Sequence, residues 1–181
     1  MELNRSLKEN TLVKNLFLAF LATLFLAISS KIKIPFWPVP MTMQTFVVLL
    51  IGVLYGWKLG MLTVSLYLIQ GLAGLPVFAG TPEKGLGLVY FTGPTMGYLI
   101  GFLVAVYLSG FFNYNNNFFK NFIKLVFSVS FIYLLGLIWL GFLIGWDKPI
   151  FKLGAQPFLL AELFKVLILA ILIPKISKLK I

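Results

Sequence analysis

The sequence predicts an all-α integral membrane protein, one bundle of six transmembrane helices occupying residues 1–181 as a single domain. Three observations carry that expectation. The chain is 60% hydrophobic and only 11% charged, where a soluble domain is nearer half apolar and a quarter charged. Its mean hydropathy is +1.00. Its apolar runs are each long enough to approach the roughly 20 residues that a helix needs to cross the hydrocarbon layer, and proline, glycine or polar breaks separate them. Six such runs consume most of the chain and leave no room for an appended soluble domain. The absence of cysteine and histidine removes disulfides, thiolate nucleophiles and the commonest metal ligand and proton shuttle. No cofactor and no metal are expected.

The first span, 16–34, ends where Lys31 and Lys33 can reach the interface and where Pro35, Pro38 and Pro40 forbid further helix. PFWPVP is then a surface turn carrying an interfacial tryptophan. Spans 41–57 and 59–75 are expected to form an antiparallel hairpin, because only Gly56, Trp57 and Lys58 interrupt the apolar run. Gly52, Gly56 and Gly60 fall four apart, a small-residue stripe that permits close backbone approach. Residues 76–91, PVFAGTPEKGLGLVYF, are too rich in glycine and proline for a helix and too apolar for a solvated linker. They should fold back as a lid over a cavity. The remaining spans are 92–112, 122–146 and 158–173, broken by NYNNNFFK and WDKPIFKLGAQP and followed by the basic tail KISKLK. The polar opening MELNRSLKENTLVKN lacks a small-residue cleavage signal and is read as retained.

Six spans place both termini on one side. That side holds Arg5, Lys8, Lys14, Lys58, Lys120, Lys124, Lys175, Lys178 and Lys180, nine cations, against five at Lys31, Lys33, Lys84, Lys148 and Lys152. The imbalance predicts cytoplasmic termini. The net charge of +10 is accordingly assigned to topology and to a face toward anionic lipid, not to nucleic acid.

Ionisable groups inside a span are costly and informative. Glu162 and Lys165 stand three apart in PFLLAELFK, on one helix face. They are either a self-satisfying ion pair or an acceptor and donor offered to a polar small molecule. Gln44 and Thr42 lie at the head of the second span and Gln70 near the end of the third; such groups either tie helices together or face a ligand. Tyr98, Tyr90, Phe78 and Phe91 cluster around the lid and the head of the fourth span, with Tyr98 the pocket candidate and Tyr90 an interface anchor. Ala19, Thr23 and Ala27 form a small-residue row that marks a close helix contact, intrachain by default.

Four blocks, VPMTMQTFVVLLIGVLYGWKLG, YLIQGLAGLPVFAG, FTGPTMGYLIGF and GAQPFLLAELFK, resemble in order the signature blocks of the BioY family, the biotin-binding S components of energy-coupling factor (ECF) vitamin transporters. They cover residues 39–165 with gaps. The resemblance implies the six-helix S-component fold in a prokaryotic cell membrane. It implies biotin bound from outside, and docking on a transmembrane coupling subunit that works with two ATPase subunits. It also implies that Ala19, Thr23 and Ala27 face that coupling subunit. Glu162 stands where the family pattern has aspartate, Met96 where GPTGGY has glycine, and Ala79 where some members carry asparagine.

Biotin joins an apolar ring and tail to a ureido group and a carboxylate, so its pocket should be mostly apolar with a few convergent polar groups. Phe78, Phe91 and Tyr98 would enclose the ring, Ala79 and Gln44 would complete the wall, Glu162 would accept from a ureido N–H, and Lys165 would donate to a ligand oxygen. The alternatives are an S component for another vitamin and a self-sufficient small-molecule transporter. An enzyme is not expected, since no nucleophile or carboxylate pair converges in a span. No GxxxxGK[ST] loop occurs, so ATP hydrolysis would belong to partners.

Overall fold

The computed structural model describes residues 2–176; Lys178 and Lys180 of the basic tail lie outside them. The elements are α1 (Glu2–Lys31), β1 (Lys33–Ile34), β2 (Met41–Thr42), α2 (Gln44–Leu72), α3 (Leu88–Phe91), α4 (Met96–Phe111), α5 (Phe118–Ile144), α6 (Ile150–Gly154), a 3-10 turn at Gln156–Phe158, and α7 (Leu159–Ile176).

The long α2 is two helices. Gly56 has φ 69 and ψ 176, a conformation that a residue with a Cβ rarely adopts, and the chain reverses there. The amide Nε2 of Gln44 donates to the Tyr67 hydroxyl at 2.7 Å, although 23 residues of straight helix would separate them by about 35 Å. Gly52 and Gly60 face each other across this hairpin, with a Cβ at Gly60 falling 3.7 Å from the Gly52 Cα. Gly110 of α4 lies against the backbone of Gly56 and Trp57 at the tip. The glycine stripe thus seats the two arms on each other and α4 on both. With α2 folded in two, α1, both arms, α4, α5 and α7 make six apolar segments. Leu12–Lys31, Gln44–Leu72, Phe118–Ile144 and Ile150–Ile176 are each long and apolar enough to cross a membrane, and α4 is a shorter apolar helix.

Boundaries differ where local chemistry competes with hydropathy. Lys33 pairs with Thr42 and Ile34 with Met41 in a two-stranded antiparallel ladder, so α1 stops at Lys31, α2 starts at Gln44, and PFWPVP is the loop of a small β-hairpin. Residues 88–91 are helical inside the segment expected to be irregular, and α4 begins at Met96 rather than 92 because Gly93 and Pro94 shape a turn. The Asn117 side chain caps α5 by accepting from the Lys120 N–H at 3.0 Å, which starts that helix at Phe118. Gly145, at φ 95, ends it. The break after α5 holds α6 and the 3-10 turn.

The inner face of α1 is Ala19, Ala22, Thr23, Leu26 and Ser30, all buried. Ala19 and Thr23 are 0% exposed within this chain alone. Thr23 Oγ1 accepts from Gln70 Nε2 at 3.1 Å and donates to the Phe20 carbonyl at 2.7 Å. The row expected to face a partner is therefore an intrachain contact, in which small side chains let α1 close on the second arm of α2; Ala27 at its end is half-buried. The outward face of α1 is instead Phe17, Phe20, Phe25 and Ile28.

Candidate functional site

The β-hairpin, residues 77–95 and α6 with its 3-10 turn gather at one end of the bundle. They enclose a narrow cavity of about 50 Å³, its lining mostly apolar with a few convergent polar groups, as in small-molecule sites. α7 contributes Glu162 and Lys165, α5 Tyr133, α4 Tyr98 and Phe102, and α2 Gln44 and Thr45. Val39 to Thr42, Ala79, Tyr90, Thr95, Leu99, Ile132 and Phe158 complete the wall. Phe36 rests edge-on against Phe158 at 5.7 Å, which fixes the β-hairpin to the head of α7.

One turn of α7 places Glu162 and Lys165 side by side, 3.2 Å apart and 4% and 7% exposed. Lys165 Nζ also donates to the Thr42 carbonyl at 2.7 Å and to Thr45 Oγ1 at 2.9 Å, so its three protons are all engaged. The Thr45 hydroxyl in turn donates to Glu162 Oε2 at 2.9 Å, and the Tyr133 hydroxyl donates to the same oxygen at 2.9 Å. Oε2 thus collects three donors. Glu162 Oε1 collects none, the one buried side-chain polar atom among the described residues without a partner. A buried acceptor left unmade costs about 1–3 kcal/mol, so the pair is not self-satisfied. It presents one charged oxygen that a donor from outside the chain would complete.

The lid is ordered by its carbonyls, which have no ladder to join. Val77 O accepts from the Tyr67 hydroxyl at 2.8 Å and lies 2.8 Å from Ser30 Oγ. Phe78 O and Thr81 O accept from Lys31 Nζ at 3.0 and 3.1 Å, and Ala79 O accepts from the Tyr90 hydroxyl at 2.9 Å. On the same loop, burial and the nearby Lys33 charge lower the pKa of Lys84.

Of the residues selected from sequence, Glu162, Lys165, Tyr98, Gln44 and Ala79 line the cavity together. Tyr98 also ties α4 to α6 by donating to the Gly154 carbonyl at 2.8 Å. Phe78 and Phe91 sit one layer behind. Phe78 is 1% exposed, stacks on Tyr90 at 4.8 Å and meets Phe91 edge-on at 5.4 Å. The wall in front of them is Tyr90, buried and not the interface anchor its sequence position implied. Thr45, Tyr133 and Phe158 were missed. A phenol within the apolar span of α5 was the available signal for Tyr133; Thr45 had only its place beside Gln44.

A membrane bundle closed at one end over a small-molecule cavity, with an unfilled buried acceptor in its wall, is by construction a solute-binding membrane protein. Its particular kind follows from likeness. The BioY family is matched over residues 3–180. The probable biotin transporter BioY of Pyrococcus horikoshii is 36% identical over 80% of this chain and 86% of its own length. The biotin transporter BioY of Thermotoga maritima is 32% identical over 93% of this chain and 99% of its own. A crystal structure at 2.1 Å of the S-component for biotin from an ECF-type ABC transporter superposes with a TM-score of 0.77, at 30% identity and 93% coverage of both chains. The chain belongs to the BioY family, and it is a multi-pass cell-membrane protein.

Proposed function

We propose that this protein takes up biotin across the cell membrane as the substrate-binding S component of an ECF transporter, using the cavity above. The single observation that supports the site is the orphaned Oε1 of Glu162, a residue of the cavity lining, as an acceptor for a ureido N–H. Tyr90, Tyr98 and Phe158 supply the apolar enclosure for the fused ring. Lys165 acts mainly through Glu162, because its protons are already engaged; it keeps the carboxylate charged and aimed.

The loop-bearing end faces outward and the termini face the cytoplasm, in keeping with the nine-to-five count of cations. Energy comes from a transmembrane coupling subunit and two ATPase subunits, since the chain has no nucleotide loop. Titration of the purified protein with biotin, beside riboflavin and thiamine as competitors, tests the reading. Stoichiometric biotin binding that neither competitor displaces is expected. Binding of another vitamin in its place would reassign the substrate, and binding of none would remove the site.

A further inference from the structure

A second crevice of about 280 Å³ lies between α5 and α7 beneath α6. Its back wall is Tyr133 and Glu162, the same two side chains that form the polar wall of the central cavity. Its flanks are apolar, and its mouth is formed by Val126, Phe151, Leu159 and Leu163, each at least 40% exposed. These residues belong to stretches of mean hydropathy 2.2, so the mouth opens into hydrocarbon and not into water. Eight of its eleven lining residues are apolar, so most of its surface offers water no hydrogen-bond partner. The medium itself supplies the occupant. At the α6 end, Lys148 and Lys152 are both exposed on either side of Phe151. Asp147 offsets Lys148 at 3.1 Å, and Lys152 has no acidic partner among the described residues.

We propose that this crevice binds one acyl chain of an anionic phospholipid, with the phosphate held by Lys152 and Lys148. The site lies apart from the one assigned to biotin but shares a wall with it. A chain lodged there keeps water from the rear of Glu162 and Tyr133, and a drier surround strengthens the hydrogen bonds and ion pair that aim the carboxylate. The central site is then tuned by the bilayer through its side wall.

The test uses the full chain without biotin, so its outcome is independent of the biotin reading. Protein purified in mild detergent is given dioleoyl phosphatidylglycerol or dioleoyl phosphatidylcholine, and retained lipid is counted by native mass spectrometry. One phosphatidylglycerol per chain is expected, at least fivefold over phosphatidylcholine, with the preference lost in Lys148→Ala/Lys152→Ala. Ser130→Phe fills the crevice from an exposed position on α5 and should lower retention at least tenfold. Val126→Trp provides a second plug if that variant fails to fold. Equal retention of the two lipids, or unchanged retention in a folded plugged variant, overturns the inference.

Discussion

Glu162→Gln is more than the loss of a charge. Three donors, from Thr45, Tyr133 and Lys165, converge on Oε2, and they dictate how an amide would sit. Its carbonyl oxygen must occupy the Oε2 position, because an NH₂ there would face three donors. The NH₂ therefore takes the place of Oε1, and the unpartnered carboxylate oxygen becomes a donor. A ureido N–H would meet an N–H. The variant loses a charge-assisted bond worth about 1.5–3 kcal/mol and strands a buried donor at about 1–3 kcal/mol. The sum is about 2.5–6 kcal/mol, or roughly two to four orders of magnitude in Kd. Glu162→Asp keeps both oxygens and should lose far less, about tenfold, from shortened reach. Isothermal titration with biotin in detergent, with thermal unfolding as the folding control, reads both variants. A folded Glu162→Gln protein whose Kd lies within fivefold of wild type would refute the hydrogen-bond assignment and the role of Oε1 with it.

Three further outcomes follow from the same geometry. Lys165→Ala leaves a buried carboxylate without its counter-ion, a change that costs about 3–5 kcal/mol; it should lower the unfolding temperature as well as affinity, and the double variant with Glu162→Gln should be more stable than Lys165→Ala alone. Tyr133→Phe removes one donor to Oε2 without altering shape or charge and should weaken biotin about 5- to 30-fold by titration, for about 1–2 kcal/mol of lost hydrogen bonding. Lys31→Ala releases the Phe78 and Thr81 carbonyls and should speed biotin dissociation severalfold in stopped-flow fluorescence, with little change in unfolding temperature because Lys31 is exposed. An unchanged off-rate would show that the lid holds its shape without that cation.

What the sequence revealed was whatever the membrane itself constrains. Hydrocarbon thickness sets the span count, and the turn at Gly56 was visible because glycine interrupts an otherwise continuous run. Glu162 and Lys165 were visible because charge inside a span is rare. What stayed hidden depends on which helices become neighbours. Thr45 meets Glu162 across 117 residues and Tyr133 meets it across 29, separations at which no spacing rule operates. The same limit explains the exchange of Tyr90 for Phe78 and Phe91: all three belong to one aromatic cluster, and only the fold decides which ring faces the cavity. Ala19 and Thr23 show the converse case. Their spacing declared a close contact, and within this chain Ala19 and Thr23 are buried; the assignment of that row to another subunit came from likeness alone.

The four lid carbonyls are anchored to side chains from different parts of the scaffold, three of them (Val77, Phe78 and Thr81) through Ser30 and Lys31 in the closing turn of α1, with Val77 also held by Tyr67 and Ala79 by Tyr90. Such a flap has no shape of its own; it registers the relative attitude of its supports. A tilt of α1 against the α2 hairpin would draw Ser30 and Lys31 from the flap while Tyr67 still held Val77 and Tyr90 held Ala79, so the doorway would come ajar without any ligand pushing on it.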